Sequence, residues 1–240
     1  MRPDTWHLFL DPNVLAFFWS GLALTLQMSL YAIALSFAFA LGFALARVSR
    51  RPYLRWPATA YIESIRSLPV LLLIIFVNFE GPHLLQPLLG EDFEIPPFWA
   101  GVIGLTIYTT SVLAEIIRAG IVSLPQGQWD AARALGLNYP RLMSYVILPQ
   151  ALRRMVPAIV AQFTTLIKDS SLAYAIAVQE LLSRGRVFYA QYFNPVDTLL
   201  VVSVVYFAVN YLLSIASRRL ELGRALPAQA RDIALRDQAA

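Results

Sequence analysis

The chain contains no cysteine, which excludes disulfides and thiolate metal sites. Its two histidines, His7 and His83, lie far apart and match no ligand spacing, so no metal centre is expected. Lysine occurs once, at Lys168. A phosphate-binding Walker loop needs glycine-rich backbone, then Lys, then Ser or Thr. Lys168 is instead preceded by Thr165-Leu166-Ile167 and followed by Asp169. The H-E-x-x-H and G-x-S-x-G patterns are missing as well, and no set of nucleophile, base and orienting group can be named. The chain is therefore expected to carry no catalytic chemistry of its own. Charge is also scarce, at 14% of residues, where soluble domains have roughly 25%.

What is present is apolar. Hydrophobic residues make up 58% of the 240, and five stretches reach the roughly 20 residues that a hydrocarbon crossing requires. The expected crossings are 14–46, 57–79, 96–118, 151–178 and 197–217, in one all-α membrane domain covering residues 1–240. Pro12 to Ala46 is free of charge, far longer than the roughly 7–15-residue core of a signal peptide, so it should remain as an anchor.

Only Arg2 precedes this stretch, while Arg47, Arg50, Arg51 and Arg55 follow it. The positive-inside rule then puts the N-terminus outside and the C-terminus, with Arg218, Arg219 and Arg224, in the cytoplasm. The same topology accounts for the net charge of +4 without invoking nucleic acid; membrane lipid is the expected surround. The acidic stretch from Glu80 to Glu94 is expected to be an external loop. Arg184 and Arg186 break the rule, so their loop is either tucked back against the protein or wrongly bounded. The tail from Ala225 is expected to be a short solvated helix or a frayed end.

The polar interior region, 123–150, is expected to be cytoplasmic. Asp130 is read as opening a short helix, since a carboxylate suits the N-terminal dipole. Ala131, Ala132 and Ala134 favour helix. Gly136 suits a left-handed end, and Pro140 suits the start of the next helix. On these features alone the segment is either a docking helix or an ordinary amphipathic loop helix.

The order and separation of Asp130-Ala131-Ala132, Gly136 and Ile147-Leu148-Pro149 resemble the EAA motif of ABC importer permeases, with Asp130 where the family usually has Glu. Further blocks resemble the polar-amino-acid branch of that family: Thr25-Leu26 and Arg47-Val48-Ser49, and Tyr61-Ile-Glu-Ser-Ile-Arg66-Ser67-Leu68-Pro69, where Ser67 and Leu68 replace Gly and Thr. Ala114-Glu115-Ile-Ile-Arg118 with Gly120, Leu148-Pro-Gln-Ala151 and Lys168-Asp169-Ser170-Ser171-Leu172 continue the series.

The resemblance implies a five-helix permease of the type I kind with a cytoplasmic coupling helix, in a bacterial inner membrane. It implies pairing with a second copy or a sister permease, with two ATPase subunits that use ATP and Mg, and with an external amino-acid-binding protein. No cofactor is expected on this chain. Gln128, Asp130, Ala131, Ala132, Leu135 and Gly136 are the implied ATPase-coupling residues. The replacements at Ser67 and Leu68 lean the expected substrate toward glutamate or aspartate.

Arg66, Glu115, Lys168, Asp169, Ser170 and Ser171 are the candidates for binding or gating the substrate. An ionisable group inside a crossing costs about 2.5–3.5 kcal/mol and usually faces a partner or a watery cavity. Lys168 and Asp169 are adjacent on a helix and point about 100° apart, so at least one needs a partner elsewhere, for which Glu115 and Arg66 are candidates. A purely structural bridge between helices is the alternative. Two other readings remain beside the permease: an ion-driven secondary transporter with a site at broken helices, and a non-transporting membrane scaffold subunit.

Overall fold

A computed structural model describes residues 6–215. The expectations concerning Arg2, the end of the fifth crossing and everything from Arg218 onward lie outside the described residues. After a short 3₁₀ turn at Trp6–Leu10 comes α1 (Pro12–Val48). Asp11 caps it by accepting from the Asn13 N–H at 2.7 Å, and Pro12 occupies the first turn, where its missing donor does no harm. At 37 residues and about 1.5 Å per residue, α1 overruns a hydrocarbon layer roughly 30 Å thick.

One face of α1 is a seam of small residues at helical spacing, Gly21, Thr25, Ser29, Ala32, Ser36, Ala40 and Ala44, all buried. Small residues let backbones approach closely where no solvent drives helices together. The seam packs chiefly on α5 (Pro97–Val122), the central and most buried long apolar helix. α5 in turn has Gly104, where a Cβ would stand 2.8 Å from the Ile74 Cα.

Between them run α2 (Pro52–Arg66), α3 (Val70–Phe79) and α4 (Gly81–Leu89). The expected single crossing over 57–79 is broken at Ser67–Pro69: Pro69 holds extended backbone (φ −62°, ψ 131°) and the apolar span is 70–89 instead. The expected acidic loop is likewise mostly helix. Glu80 is helical in its own φ and ψ, and α4 occupies most of 80–94.

Beyond α5 lie α6 (Gln126–Ala134), a single turn α7 (Tyr139–Arg141), a π-helical turn at Leu142–Ile147, α8 (Leu148–Asp169) and a 3₁₀ segment at Ser170–Ile176. α9 (Leu181–Tyr192) and α10 (Pro195–Ile215) complete the described chain. Among the described residues, the helices long and apolar enough to cross a membrane are 12–48, 70–89, 97–122 and 195–215. α8 lacks that apolar character because Arg153, Arg154, Lys168 and Asp169 lie on it.

Among the described residues, two of the three apolar cores lie along α5. One joins Ala114, Ile117 and Ile121 of α5 to Ala40, Ala151, Ile159 and the α6–α7 region. The other joins Val102 and Leu105 to Met28, Ile74, Leu166 and Ala173. Arg184 and Arg186 are tucked back against the protein. Arg184 donates to the Phe17 and Gln179 carbonyls at 3.1 Å each and lies 4.6 Å over the Phe17 ring; Arg186 lies 4.4 Å over that of Tyr174.

Candidate functional site

α6 begins at Gln126 behind Pro125, so Asp130 sits inside the helix rather than opening it. Its carboxylate accepts from Gln126 at 3.1 Å and from Arg133 at 3.2 Å. The C-terminal end is a full Schellman closure: Gly136 N–H bonds the Arg133 carbonyl, Leu137 N–H bonds that of Ala132, and Gly136 takes φ +73°. Asn138 then caps α7 by accepting from the Arg141 N–H at 3.2 Å, with Pro140 just inside.

These turns fix which face of α6 is offered to solvent. Ala132 is buried against Leu142, Met143 and Ile147, whereas Gln128, Asp130, Ala131 and Gly136 are exposed. Leu135 is 80% exposed, an apolar side chain projecting at the tip. Gln128 is braced from α8, its side-chain oxygen accepting from Gln150 at 3.1 Å. In the adjoining connector, burial pushes the Tyr139 phenol pKa up, and the nearby Arg50 charge opposes this.

A second constellation joins three helices. Arg47 of α1 donates to Glu63 of α2 and to Glu115 of α5, both at 2.8 Å. Arg118 clasps the same Glu115 carboxylate at 2.7–3.0 Å, one turn along α5. Arg66 is exposed and makes no ion pair with Glu115. Sequence reasoning singled out Glu115 and Arg66 but missed Arg47, Glu63 and Arg118 as partners. The i,i+3 spacing of Glu115 and Arg118 was the readable signal.

The third group, Lys168 to Ser171, straddles the junction where α8 tightens into 3₁₀ geometry. Ser170 is buried and donates to the Ile167 carbonyl; Ser171 donates to that of Lys168, each at 2.7 Å. Lys168 is exposed and Asp169 half-buried. The expected pairing of Lys168 or Asp169 with Glu115 or Arg66 does not occur. Glu115 belongs to the level of Ala114 and Ile117, Lys168–Ser171 to that of Leu105 and Leu166. Ten α5 residues separate Leu105 from Glu115, about 15 Å at 1.5 Å each.

One buried charge escaped the sequence reading. Glu180, fully buried, caps α9 by accepting from the Leu182 and Ser183 N–H groups at 2.8 and 2.6 Å, and takes the Tyr206 hydroxyl of α10 at 2.9 Å. Glu is not a preferred capping residue, so nothing local announced it.

Residues 38–224 match the model of the family described as "Binding-protein-dependent transport system inner membrane component". The probable glutamine ABC transporter permease protein GlnP of Bacillus subtilis (strain 168) is 42% identical over 213 residues, covering 87% of this chain and 94% of that protein. The glutamate transport system permease protein GluD of Corynebacterium glutamicum is 33% identical over 226 residues, covering 92% and 77%. A crystal structure of an amino acid ABC transporter with histidines superposes with a TM-score of 0.78 at 30% identity, covering 91% of this chain and all of that one.

Proposed function

Because the chain belongs to the family of inner-membrane components of binding-protein-dependent transport systems, we propose that it is the permease subunit of an ATP-driven importer of polar amino acids. The observation that carries this reading is the presentation of α6, a short helix clamped between turns with Leu135 bare at its tip. An apolar knob on a rigid base suits insertion into a groove of a separate ATPase. Gln128, Asp130 and Ala131 flank that knob, Ala132 seats the helix, and Gly136 sets its exit. Relatives named for glutamine and glutamate transport support a polar amino acid as substrate, and the replacements at Ser67 and Leu68 favour an acidic one.

In this reading α8 is the fourth of five crossings, shielded from lipid by other helices or by a second permease. The N-terminus lies outside, and α6 faces the cytoplasm. Lys168, Asp169, Ser170 and Ser171 contact the amino acid, Asp169 toward its ammonium and Lys168 toward its carboxylate. Glu115, held in the ion network with Arg47, Glu63 and Arg118, and Arg66 gate the passage. The test is reconstitution with the ATPase subunits, the external binding protein and candidate amino acids. ATP turnover should rise several-fold only when binding protein and its amino acid are both present, with glutamate or aspartate the strongest competitors. Gradient-driven uptake without ATP would make the chain a secondary transporter; no uptake under any condition would make it a scaffold.

A further inference from the structure

A cavity of about 750 Å³ opens between the end of α1, the start of α2 and the α6–α7 connector. Its polar rim carries Arg50, Arg51 and Arg133. Arg133 is paired with Asp130, but no carboxylate among the described residues pairs with Arg50 or Arg51. Among the described residues the Arg51 guanidinium donates only to the Tyr53 hydroxyl, at 3.0 Å. It also stands at the N-cap of α2, a helix whose start has neither a side-chain cap nor an acidic first turn. Two unpaired guanidinium groups and a positive helix end thus converge on one opening.

Below the rim the walls turn apolar, with Gly42, Leu45, Ala46 and Leu54. Gly42, Ala46 and Leu54 also line an adjoining cavity of about 340 Å³ that reaches Phe39 and Phe43. A third, of about 190 Å³, continues from those two aromatics to Leu35. The successive positions 35, 39, 42 and 46 form one stripe along α1. From Leu35 to Ala46 the stripe is about 17 Å long at 1.5 Å per residue, enough to cross one leaflet of a hydrocarbon layer roughly 30 Å thick. Tyr53 and Trp56, both exposed, mark the level as interfacial, where such rings concentrate.

We propose that this groove holds an anionic phospholipid, its phosphate between Arg50 and Arg51 and one acyl chain along the α1 stripe. A soluble anion would use the rim but has no need of an apolar trough that runs on from it. A second protein chain would need carboxylates opposite the two arginines. Basic pockets between spanning helices at the cytoplasmic face suit acidic headgroups. The leaflet assignment rests on the topology proposed above; the site does not. Leu137, Tyr139 and Leu142 line the same cavity, so the bound lipid braces the connector that closes α6.

The test uses the assembled complex with its ATPase. Purified complex is equilibrated in nanodiscs of phosphatidylcholine doped with phosphatidylglycerol, and retained lipid is counted by native mass spectrometry. The wild type should hold phosphatidylglycerol in preference to phosphatidylcholine. The double variant Arg50→Gln, Arg51→Gln should retain it about thirtyfold more weakly. If that variant does not assemble, Gly42→Trp serves in its place. The Gly42 position has open space around it, and the indole blocks the trough with both arginines intact, so phosphatidylglycerol should again be lost.

Binding-protein-stimulated ATPase should rise with phosphatidylglycerol content in the wild type and stay flat in the variant. Equal retention of both lipids, retention unchanged by either substitution, or displacement by millimolar inorganic phosphate each overturns the proposal. So does cross-linking of Leu137→Cys to the C-terminal tail or to a second permease. Failure of lipid retention beside normal stimulation sinks the lipid site alone. Failure of stimulation in the wild type in every lipid bears on the importer reading instead.

Discussion

The ionic side chains of this chain differ widely in how far they depend on one another. Arg47 and Glu115 keep 16% and 22% of their side-chain exposure, whereas Glu63, at the far end of the same network, keeps 63%. Glu115→Gln removes the carboxylate shared by two guanidinium groups and leaves Arg47 largely enclosed beside a neutral amide. The expected loss is about 3 kcal/mol, the low end for a broken buried pair because some solvent remains. Glu63→Gln should cost under about 1 kcal/mol. Thermal unfolding of the detergent-solubilised complex separates them, and equal midpoints for the two variants would remove the network from any structural account. Asp169→Asn keeps shape and drops charge at the α8 junction. It should leave an assembled complex with normal basal ATPase activity and strongly reduced uptake; unchanged uptake kinetics would take Asp169 out of the substrate path.

At the scale of elements, the helix ends carry most of the information. α6 is short enough that its closure decides its orientation, and that closure depends on Gly136 at φ +73°. Nothing stands within 4 Å of a Cβ built there, so Gly136→Asp is opposed by backbone strain of about 1 kcal/mol rather than by a clash. The variant should accumulate in the membrane at near wild-type level, yet lose co-purifying ATPase and stimulated turnover. Full stimulation in Gly136→Asp would end the docking assignment of α6. Gly104 is opposite in kind, because the obstacle there is the Ile74 backbone at 2.8 Å, which cannot swing aside. Gly104→Val should push α3 from α5 and cost about 3 kcal/mol, the upper end for an overpacked core. Lowered yield of folded protein and a lowered unfolding midpoint are the measurements.

For the whole molecule the decisive question is which ends face which side. The natural absence of cysteine allows single cysteines to be placed without background. Leu88→Cys on α4 and Gln126→Cys on α6 are both at exposed positions. An impermeant thiol reagent should reach the first from outside intact cells and the second only after the membrane is opened. Labelling of position 126 from outside would invert the topology, and with it the side on which an ATPase could dock.

Residue order alone was enough to place the chain in the membrane and to deny it a nucleotide loop. It also located the short helix ending at Gly136, because hydropathy, capping and turn chemistry are properties of a few neighbouring residues. The break at Ser67–Pro69 has a local cause, since a proline disfavours helix in the residue before it, but the acidic stretch looked like loop because helical φ and ψ at Glu80 depend on how α3 runs into α4. Which charges meet was decided by packing. Arg47 and Glu115 are 68 residues apart, and they join because the small-residue seam of α1 lies on α5. The same holds for Glu180, whose burial depends on Tyr206 arriving from α10. Non-local contacts of this kind are selected by the fit of whole helix faces, and no window of sequence contains both sides of that fit.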